Sequence, residues 1–480
     1  MPSSLLHKTV GNAVWLTVGA ALETVLQLLF LVIAGRELGP EEFGFYGYLL
    51  SILTMILAVA HFGLPVVAVR EFAQHPEHEG RLFAATFRIR GLLAILFFAA
   101  AVVTSLVVPQ SAAHRVAVWA MFVYLLFIPF DVSPLFDARK LSRWDVPGKV
   151  AGRAAALLTL VLLWKVTGEL TVLDAAIASS LLMLVNVSIG WQVARRRGLE
   201  LRPLARTDEV PRLVRASLPI MWSNLATIAY TQSQTVLTKW LSTSLETGYY
   251  ALASRLLMPL LMLKGVLYRL LLPIFSDAAH DRATLTTTLE RAMPVLALIF
   301  MPLAALAIPA AEVLMVPVFG AEYVGAIRPF QLSVSYLFFT GLSSMCGTAL
   351  LAAGDARTPT VGLTIGCATS LGLSLLLIPQ YGAVGAAWSA WIAEIVSNLY
   401  TLPKFLQLAR PRVLKRLLAI GASSLGGTLV YYLLTIAAGV WPFVALILAA
   451  ALIGAGLWVT GEISPKQLRA VAEMVRRKNA

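Results

Sequence analysis

The sequence predicts an all-α polytopic membrane protein, and three observations support this prediction. Of the 480 residues, 59% are hydrophobic and 13% are charged, whereas a soluble chain has about 25% charged residues. The mean hydropathy is +0.80, so a large share of the apolar side chains must face lipid. The apolar residues also fall into runs of about 20, the length at which a helix crosses a roughly 30 Å hydrocarbon core.

The apolar runs predict about fourteen spans, with twelve as the alternative if the last two pairs merge or lie at the periphery. The first run is longer than the apolar region of a cleavable signal peptide, so we expect it to remain as the first span. The predicted spans are residues 10–34, 43–68, 91–108, 116–130, 150–166, 172–193, 217–238, 248–274, 293–310, 326–353, 359–378, 383–402, 415–438 and 441–460.

The basic residues predict that both termini are cytoplasmic. With that orientation, 30 of the 38 Lys and Arg residues lie on the cytoplasmic side, five lie on the outer side and three lie inside span 8. This is the bias of the positive-inside rule. The net charge of +13 does not indicate nucleic-acid binding, because the basic residues are interspersed between apolar runs and form no basic domain.

Several functional classes are excluded by what the loops and motifs lack. The two cysteines, Cys346 and Cys367, lie within apolar runs, so neither a disulfide framework nor a cysteine metal site is expected. The segment Gly148-Lys149-Val150 lacks the hydroxyl that a phosphate-binding loop requires. No predicted loop is long enough for a catalytic domain. We therefore expect no enzyme activity, cofactor, catalytic residue or bound metal.

The order of the spans predicts two similar halves. Spans 1–6 would form an N-terminal lobe (1–194), a basic cytoplasmic linker would follow (195–216), and spans 7–12 would form a C-terminal lobe (217–402). Two extra spans (403–460) and a cytoplasmic interfacial tail (461–480) would complete the chain. A weak internal repeat supports this division, because Glu42–Tyr46 and Glu246–Tyr250 each precede an apolar run, 204 residues apart. Such repeats are typical of transporters.

Five ionisable residues lie well inside predicted spans, where each costs at least about 2.5–3.5 kcal/mol and usually faces a partner or a hydrated cavity. These residues are Glu23, His61, Arg255, Lys264 and Glu394. Lys264 is the deepest cation, and it either faces a cavity or pairs with a carboxylate on a neighbouring helix. At 100° per residue, Arg255 and Lys264 lie on opposite faces of span 8, unless Pro259 bends the helix.

The remaining candidates also have alternative interpretations. Glu23 is either a proton-coupling site or a protonated group in the packing, and Glu394 is a second candidate for coupling or for an ion pair. Asn224 and Gln232 lie within about 80° of each other on span 7. They either line a wetted wall that binds a hydroxyl-rich substrate or join helices by hydrogen bonds.

Several motifs together resemble the oligosaccharide flippases, polysaccharide-biosynthesis membrane proteins of the multidrug/oligosaccharidyl-lipid/polysaccharide exporter superfamily. The opening signature is the most specific, and the likeness runs from about residue 5 to about residue 405. The segments that resemble the family are Arg36–Tyr46, Phe62–Leu64, Val69–Glu71, Gly248–Arg255, Phe319–Tyr323, Ala349–Gly354 and Tyr381–Ala387.

The resemblance implies two six-helix lobes in a V, with spans 1, 2, 7 and 8 lining the cavity and two further helices at the C-terminus. It also implies that an undecaprenyl-diphosphate-linked glycan passes from the cytoplasmic to the outer face of the bacterial inner membrane by alternating access. Polysaccharide polymerase or chain-length proteins are the implied partners. Many relatives carry an acidic residue where His61 stands, so carboxylate-based coupling is not expected at that position.

The resulting hypothesis is a flippase for a lipid-linked oligosaccharide. Arg255 and Lys264 would attract the diphosphate or acidic sugars, with Asn224, Gln232 and His61 as further substrate-binding residues. Glu23 would couple transport to protons or pair with Lys264. Two alternatives remain open: a cation-coupled multidrug exporter of the same fold, and a membrane-embedded glycosyltransferase or polymerase.

Overall fold

A computed structural model describes residues 3–408 and 411–460; within them, the side chains of 3–14, 223, 226, 263, 266–270, 342, 411, 412 and 414 are left aside. The described chain is built from α-helices, joined by short turns and single 3₁₀ turns. The helices are α1 (Ser3–Ala60), α2 (Leu64–Gln74), α3 (Glu79–Val107), α4 (Ala112–Phe122), α5 (Tyr124–Phe127), α6 (Ser133–Ala138), α7 (Val146–Thr167), α8 (Val172–Arg196), α9 (Val210–Leu241), α10 (Ser244–Ala278), α11 (Arg282–Phe319), α12 (Ile327–Ser335), α13 (Leu337–Ala352), α14 (Arg357–Leu406), α15 (Pro411–Tyr432) and α16 (Pro442–Val459).

Ten helical segments of the described chain are long and apolar enough to cross a membrane. Two of them contain a glycine at which the helix breaks, Gly39 (φ 67°, ψ 169°) in α1 and Gly382 (φ 54°, ψ −128°) in α14. These breaks lie between predicted spans 1 and 2 and between predicted spans 11 and 12. The all-α polytopic class is confirmed, whereas the count of fourteen spans stays a prediction.

Polarity in this fold is inverted relative to a soluble protein. Large apolar side chains are exposed along the helices, with Val166, Ile436 and Val459 each 80–84% exposed, while Arg90 is only 2% exposed. An apolar surface of this kind is stable against lipid tails and unstable in water. The structure therefore supports the prediction that the helices are surrounded by lipid.

The chain divides into two compact units, Met1–Val236 and Leu237–Ala480. In the first, α7 packs on α8 and on α1, and α4 packs on α8. In the second, α11 packs on α15, and α10, α13 and α14 pack on one another. The division falls inside α9, beyond the predicted basic linker at 195–216. The predicted interfacial tail at 461–480 lies outside the described residues.

Two local expectations are corrected by the structure. Predicted span 2 was a single run over 43–68, but the chain turns after Ala60, where Phe62 (φ 52°) and Gly63 (φ 68°) adopt left-handed conformations before α2 begins. A Cβ on Gly63 would lie 2.7 Å from the backbone oxygen of Ser217, so this turn also allows α9 to approach closely. Arg90, counted as a loop cation, lies inside α3.

The break at Gly382 gives a prediction about stability. A Cβ at this position would lie 2.3 Å from Oε2 of Glu246, which accepts a hydrogen bond from the N–H of Ala383 at 2.7 Å. Gly382→Ala should therefore destabilise the protein by at least about 1–3 kcal/mol, because the backbone conformation is restricted to glycine and the cap is displaced. Thermal unfolding of the purified protein measures this effect.

The matched control is Gly372→Ala, in the same helix, where an added Cβ meets no atom within 4 Å. This variant should unfold at the wild-type temperature or slightly above it, because alanine is the better helix former. Equal stability of the Gly382 and Gly372 variants would show that the break at Gly382 does not require glycine.

Candidate functional site

Lys264 lies within α10 and is held by the neighbouring helices of the second unit. Its Nζ donates a hydrogen bond to Oγ1 of Thr340 on α13 at 2.8 Å, and the carboxylate of Glu394 on α14 acts on it electrostatically. The side chain is half-buried. The ammonium therefore has the carboxylate neighbour that one of the two alternatives predicted, and it is not completely enclosed.

Glu394 is the best-buried carboxylate in this group, with 7% of its surface exposed. It lies 12 residues from both Gly382 and Leu406, and so about 18 Å along the helix from either end of this half of α14. Its Oε1 lies 2.5 Å from Oγ of Ser343, which in turn lies 2.6 Å from Oδ1 of Asn398. We call Lys264, Thr340, Ser343, Glu394 and Asn398 the Lys264 cluster.

Arg255 is not part of the Lys264 cluster. It is half-buried on α10, nine residues before Lys264, and α10 continues as one helix through Pro259. Nine residues correspond to about 900° of rotation, which places the two cations on opposite faces and about 13 Å apart along the axis. A single cationic stripe on α10 is therefore absent, as the helical wheel predicted.

Helix α9 carries the predicted amides within an unusually polar segment. Asn224 is exposed and Gln232 is half-buried, while the neighbouring Gln234 is 2% exposed. From 224 to 238 the helix also contains five threonine and serine residues and one tyrosine. A helix this polar is stable in a membrane only where its polar groups find partners or water. The segment therefore fits either a wetted wall or a polar helix contact.

His61 lies at the turn between α1 and α2, beside a buried ion pair. Nη1 of Arg90 lies 3.6 Å from Oδ2 of Asp131, and both groups act on the imidazole electrostatically. In the described part of the chain, Nδ1 of His61 and the Nε and Nη2 atoms of Arg90 have no hydrogen-bond partner. We call His61, Arg90 and Asp131 the Arg90 cluster. A pocket with room for about one water molecule adjoins the guanidinium.

The Arg90 cluster was missed from the sequence because Arg90 and Asp131 were placed in cytoplasmic loops. Arg90 stands eleven residues after the start of α3, so it is about 17 Å inside the helix. Continuing the apolar period of span 3 backwards from residue 91 would have placed Arg90 in the helix. Nothing in the sequence indicates that Asp131, 41 residues later, is its partner.

Glu23 lies beside charges of its own unit. It is half-buried on α1, which packs on α7, and Lys149 and Arg153 of α7 act on it electrostatically. Lys149 also pairs with Asp145 at 2.7 Å, and Asp145 accepts a hydrogen bond from Ser133 at 3.0 Å. The nearby charges that explain Glu23 are thus on α7 and at its start, two of them having been counted as loop cations.

A family model and a curated relative match most of this chain. The model described as "Polysaccharide biosynthesis protein" matches residues 9–279, which is more than half of the chain. The succinoglycan biosynthesis transport protein ExoT of Rhizobium meliloti (strain 1021) is 23% identical over 452 residues, covering 88% of this chain and 87% of that protein. This relative aligns across both compact units.

Solved structures share the fold over nearly the whole chain. The lipid II flippase MurJ, in an inward closed conformation, superposes with a TM-score of 0.69 at 14% identity, covering 92% of this chain and 98% of that one. An inward-facing multidrug resistance MATE family transporter of the MOP superfamily superposes with a TM-score of 0.63 at 15% identity, covering 80% and 95%. At these identities the likeness establishes the fold of the chain.

Proposed function

Because this chain belongs to the polysaccharide biosynthesis protein family, we propose that it is a flippase for a lipid-linked oligosaccharide. The observation that carries the proposal is the alignment with a transport protein of polysaccharide biosynthesis along 452 residues. The substrate would be a glycan linked to a polyprenyl diphosphate such as undecaprenyl diphosphate, moved from the cytoplasmic to the outer leaflet of the bacterial inner membrane. Both termini would lie in the cytoplasm.

The substrate's two parts need different side chains. A diphosphate carries negative charge that must be compensated inside the membrane, and Lys264 supplies a cation there that is only half-buried. Arg255, on the opposite face of α10, would act on a different part of the path. The sugar hydroxyls need neutral donors and acceptors, which Asn224 and Gln232 on the polar segment of α9 provide.

Transport would follow alternating access between two lobes, with the segments 1–194 and 217–402 as the moving halves and 195–216 as their linker. In this scheme the lobes expose the substrate path to one leaflet at a time, as transporters built from repeats do. The segments 403–460 and 461–480 would serve other contacts. A polysaccharide polymerase or chain-length protein would receive the glycan on the outer side.

The Arg90 cluster and Glu23 would shape the N-terminal half of this path. His61 adjoins a buried pair whose charges largely compensate each other, so it would contribute a neutral polar group to the glycan. Glu23 faces two cations of α7, and its protonation would change the net charge of that side of the lobe. Glu23 is therefore the second coupling candidate, after Glu394.

Deletion of the gene tests the proposal in cells. The lipid-linked glycan should accumulate in the cytoplasmic leaflet, and surface polysaccharide should fall to background, because no other step moves the diphosphate through the bilayer. Radiolabelled lipid-linked glycan, probed with a sugar-modifying enzyme added outside spheroplasts, measures which leaflet holds it.

Two other results distinguish the alternatives. Restored drug resistance in a sensitised host, with unchanged glycan distribution, would favour a multidrug exporter of the same fold. New glycan product from the purified protein and a lipid-linked donor would favour a glycosyltransferase or polymerase. Either result would contradict the flippase proposal.

A further inference from the structure

The Lys264 cluster contains more hydrogen-bond acceptors than hydrogens. The amide of Asn398 is oriented by its own helix, because Nδ2 donates to the backbone oxygen of Glu394 at 2.9 Å. With that orientation, Oδ1 of Asn398 faces Oγ of Ser343 at 2.6 Å and must accept its hydrogen. A serine hydroxyl has only one hydrogen to donate.

Glu394 therefore needs a hydrogen of its own. Its Oε1 lies 2.5 Å from the same Oγ of Ser343. Two oxygens this close without a hydrogen between them would repel, and Ser343 has already donated to Asn398. A proton on the Glu394 carboxyl resolves the conflict, because its O–H then donates to Ser343 while Ser343 donates to Asn398. The geometry is thus that of a neutral carboxylic acid.

The other groups around Glu394 leave Lys264 as its ionic neighbour. Helix α13 contains no Asp, Glu, Lys or Arg residue, and its thiol, Cys346, is buried in the apolar core. On α12 the charged residue is Arg328, at the start of that helix. On α10 the cation that interacts with Glu394 is Lys264. Protonation of Glu394 consequently changes the charge balance of Lys264 directly.

We propose that Glu394 is a proton switch that controls whether Lys264 is available to the substrate diphosphate, an inference that rests on the proposed function. When Glu394 is ionised, its charge compensates Lys264. When Glu394 takes a proton from water, its hydrogen turns to Ser343, and Lys264 keeps an uncompensated charge that attracts the diphosphate. One proton is bound for each diphosphate that is bound, and no covalent bond of the substrate changes.

Binding measurements on the full-length protein in lipid nanodiscs test the switch. The probe is undecaprenyl diphosphate, titrated from about pH 5 to about pH 9, the range that a buried carboxyl can cover. Wild-type protein should bind about tenfold more weakly at the upper end, a coupling of ordinary size. Glu394→Gln, which imitates the protonated acid, should bind at all pH values as the wild type does at low pH.

Two controls separate the possible causes. The phosphate groups of the probe titrate as well, but their contribution is the same for both proteins and is the part that remains in Glu394→Gln. Undecaprenol, which has no phosphate, should show no pH dependence with either protein. The same pH dependence in wild type and Glu394→Gln would overturn the switch and leave the flippase proposal standing. Absence of binding to wild type at every pH would overturn both.

A measurement on the wild type alone does not depend on how the variant folds. Infrared difference spectra of the protein, recorded against pH, should show the carbonyl stretch of a protonated carboxylic acid. This band should disappear over the same pH range in which affinity for undecaprenyl diphosphate falls. A band that titrates elsewhere, or no such band, would contradict the protonated state that the hydrogen bonds require.

Discussion

Lys264→Glu should reduce export of the lipid-linked glycan to the level of the gene deletion. The substitution removes the cation that faces the diphosphate and places a second carboxylate beside Glu394. Loss of one partner of a close charge pair costs about 2–5 kcal/mol, so transport should fall at least about thirtyfold. Surface polysaccharide and leaflet distribution of the lipid-linked glycan, in a complemented deletion strain, provide the measurement.

Two controls make this result specific. Lys264→Arg keeps the positive charge and should retain most of the export. Lys404→Glu reverses an exposed lysine near the end of α14 and should leave export unchanged, because an exposed charge is screened by water. Wild-type export by a Lys264→Glu variant present at normal levels in the membrane would remove Lys264 from the mechanism.

Arg90→Met should be among the most destabilising single substitutions in the protein. It leaves the carboxylate of Asp131 without its cation in a site where Arg90 itself is only 2% exposed. Breaking a buried ion pair by removing one partner costs about 3–5 kcal/mol. The purified variant should unfold at a clearly lower temperature, or lose its fold faster at a fixed temperature, than the wild type.

The double variant Arg90→Met/Asp131→Asn separates charge from packing. It removes both charges, and asparagine can still accept the hydrogen bond from the N–H of Ser133 that Asp131 accepts at 3.0 Å. Most of the lost stability should therefore return, since replacing both partners of a buried pair is often neutral. A double variant no more stable than Arg90→Met would show that the guanidinium acts through packing alone.

The fold was predictable from the sequence to the extent that it depends on composition and period. Apolar runs of membrane length located the helices, and the short polar interruptions near Gly39 and Gly382 located the breaks inside α1 and α14. The turn at Phe62–Gly63 was missed, because an apolar run with a single histidine gives no sign of a left-handed turn. That turn depends on α9, which approaches Gly63 from about 150 residues later in the chain.

The candidate site was predictable only one residue at a time. The cost of a buried charge pointed to Lys264 and Glu394, and their contact through α10 and α14 was left open. Ser343, Thr340 and Asn398 are ordinary residues of membrane helices, and their roles depend on partners 51 to 76 residues distant or on the neighbouring helical turn. Arg90 was hidden because a cation at a helix end and one inside it are alike in the sequence.

Transport by the purified protein in liposomes tests the central claim most directly. The protein would be reconstituted with a fluorescent polyprenyl-diphosphate-linked oligosaccharide, and translocation would be followed by loss of accessibility to a reagent that attacks the glycan from outside. We predict that wild-type protein moves the lipid much faster than protein-free liposomes do, and that Lys264→Glu does not. No acceleration by the wild-type protein, or equal acceleration by both proteins, would contradict the account.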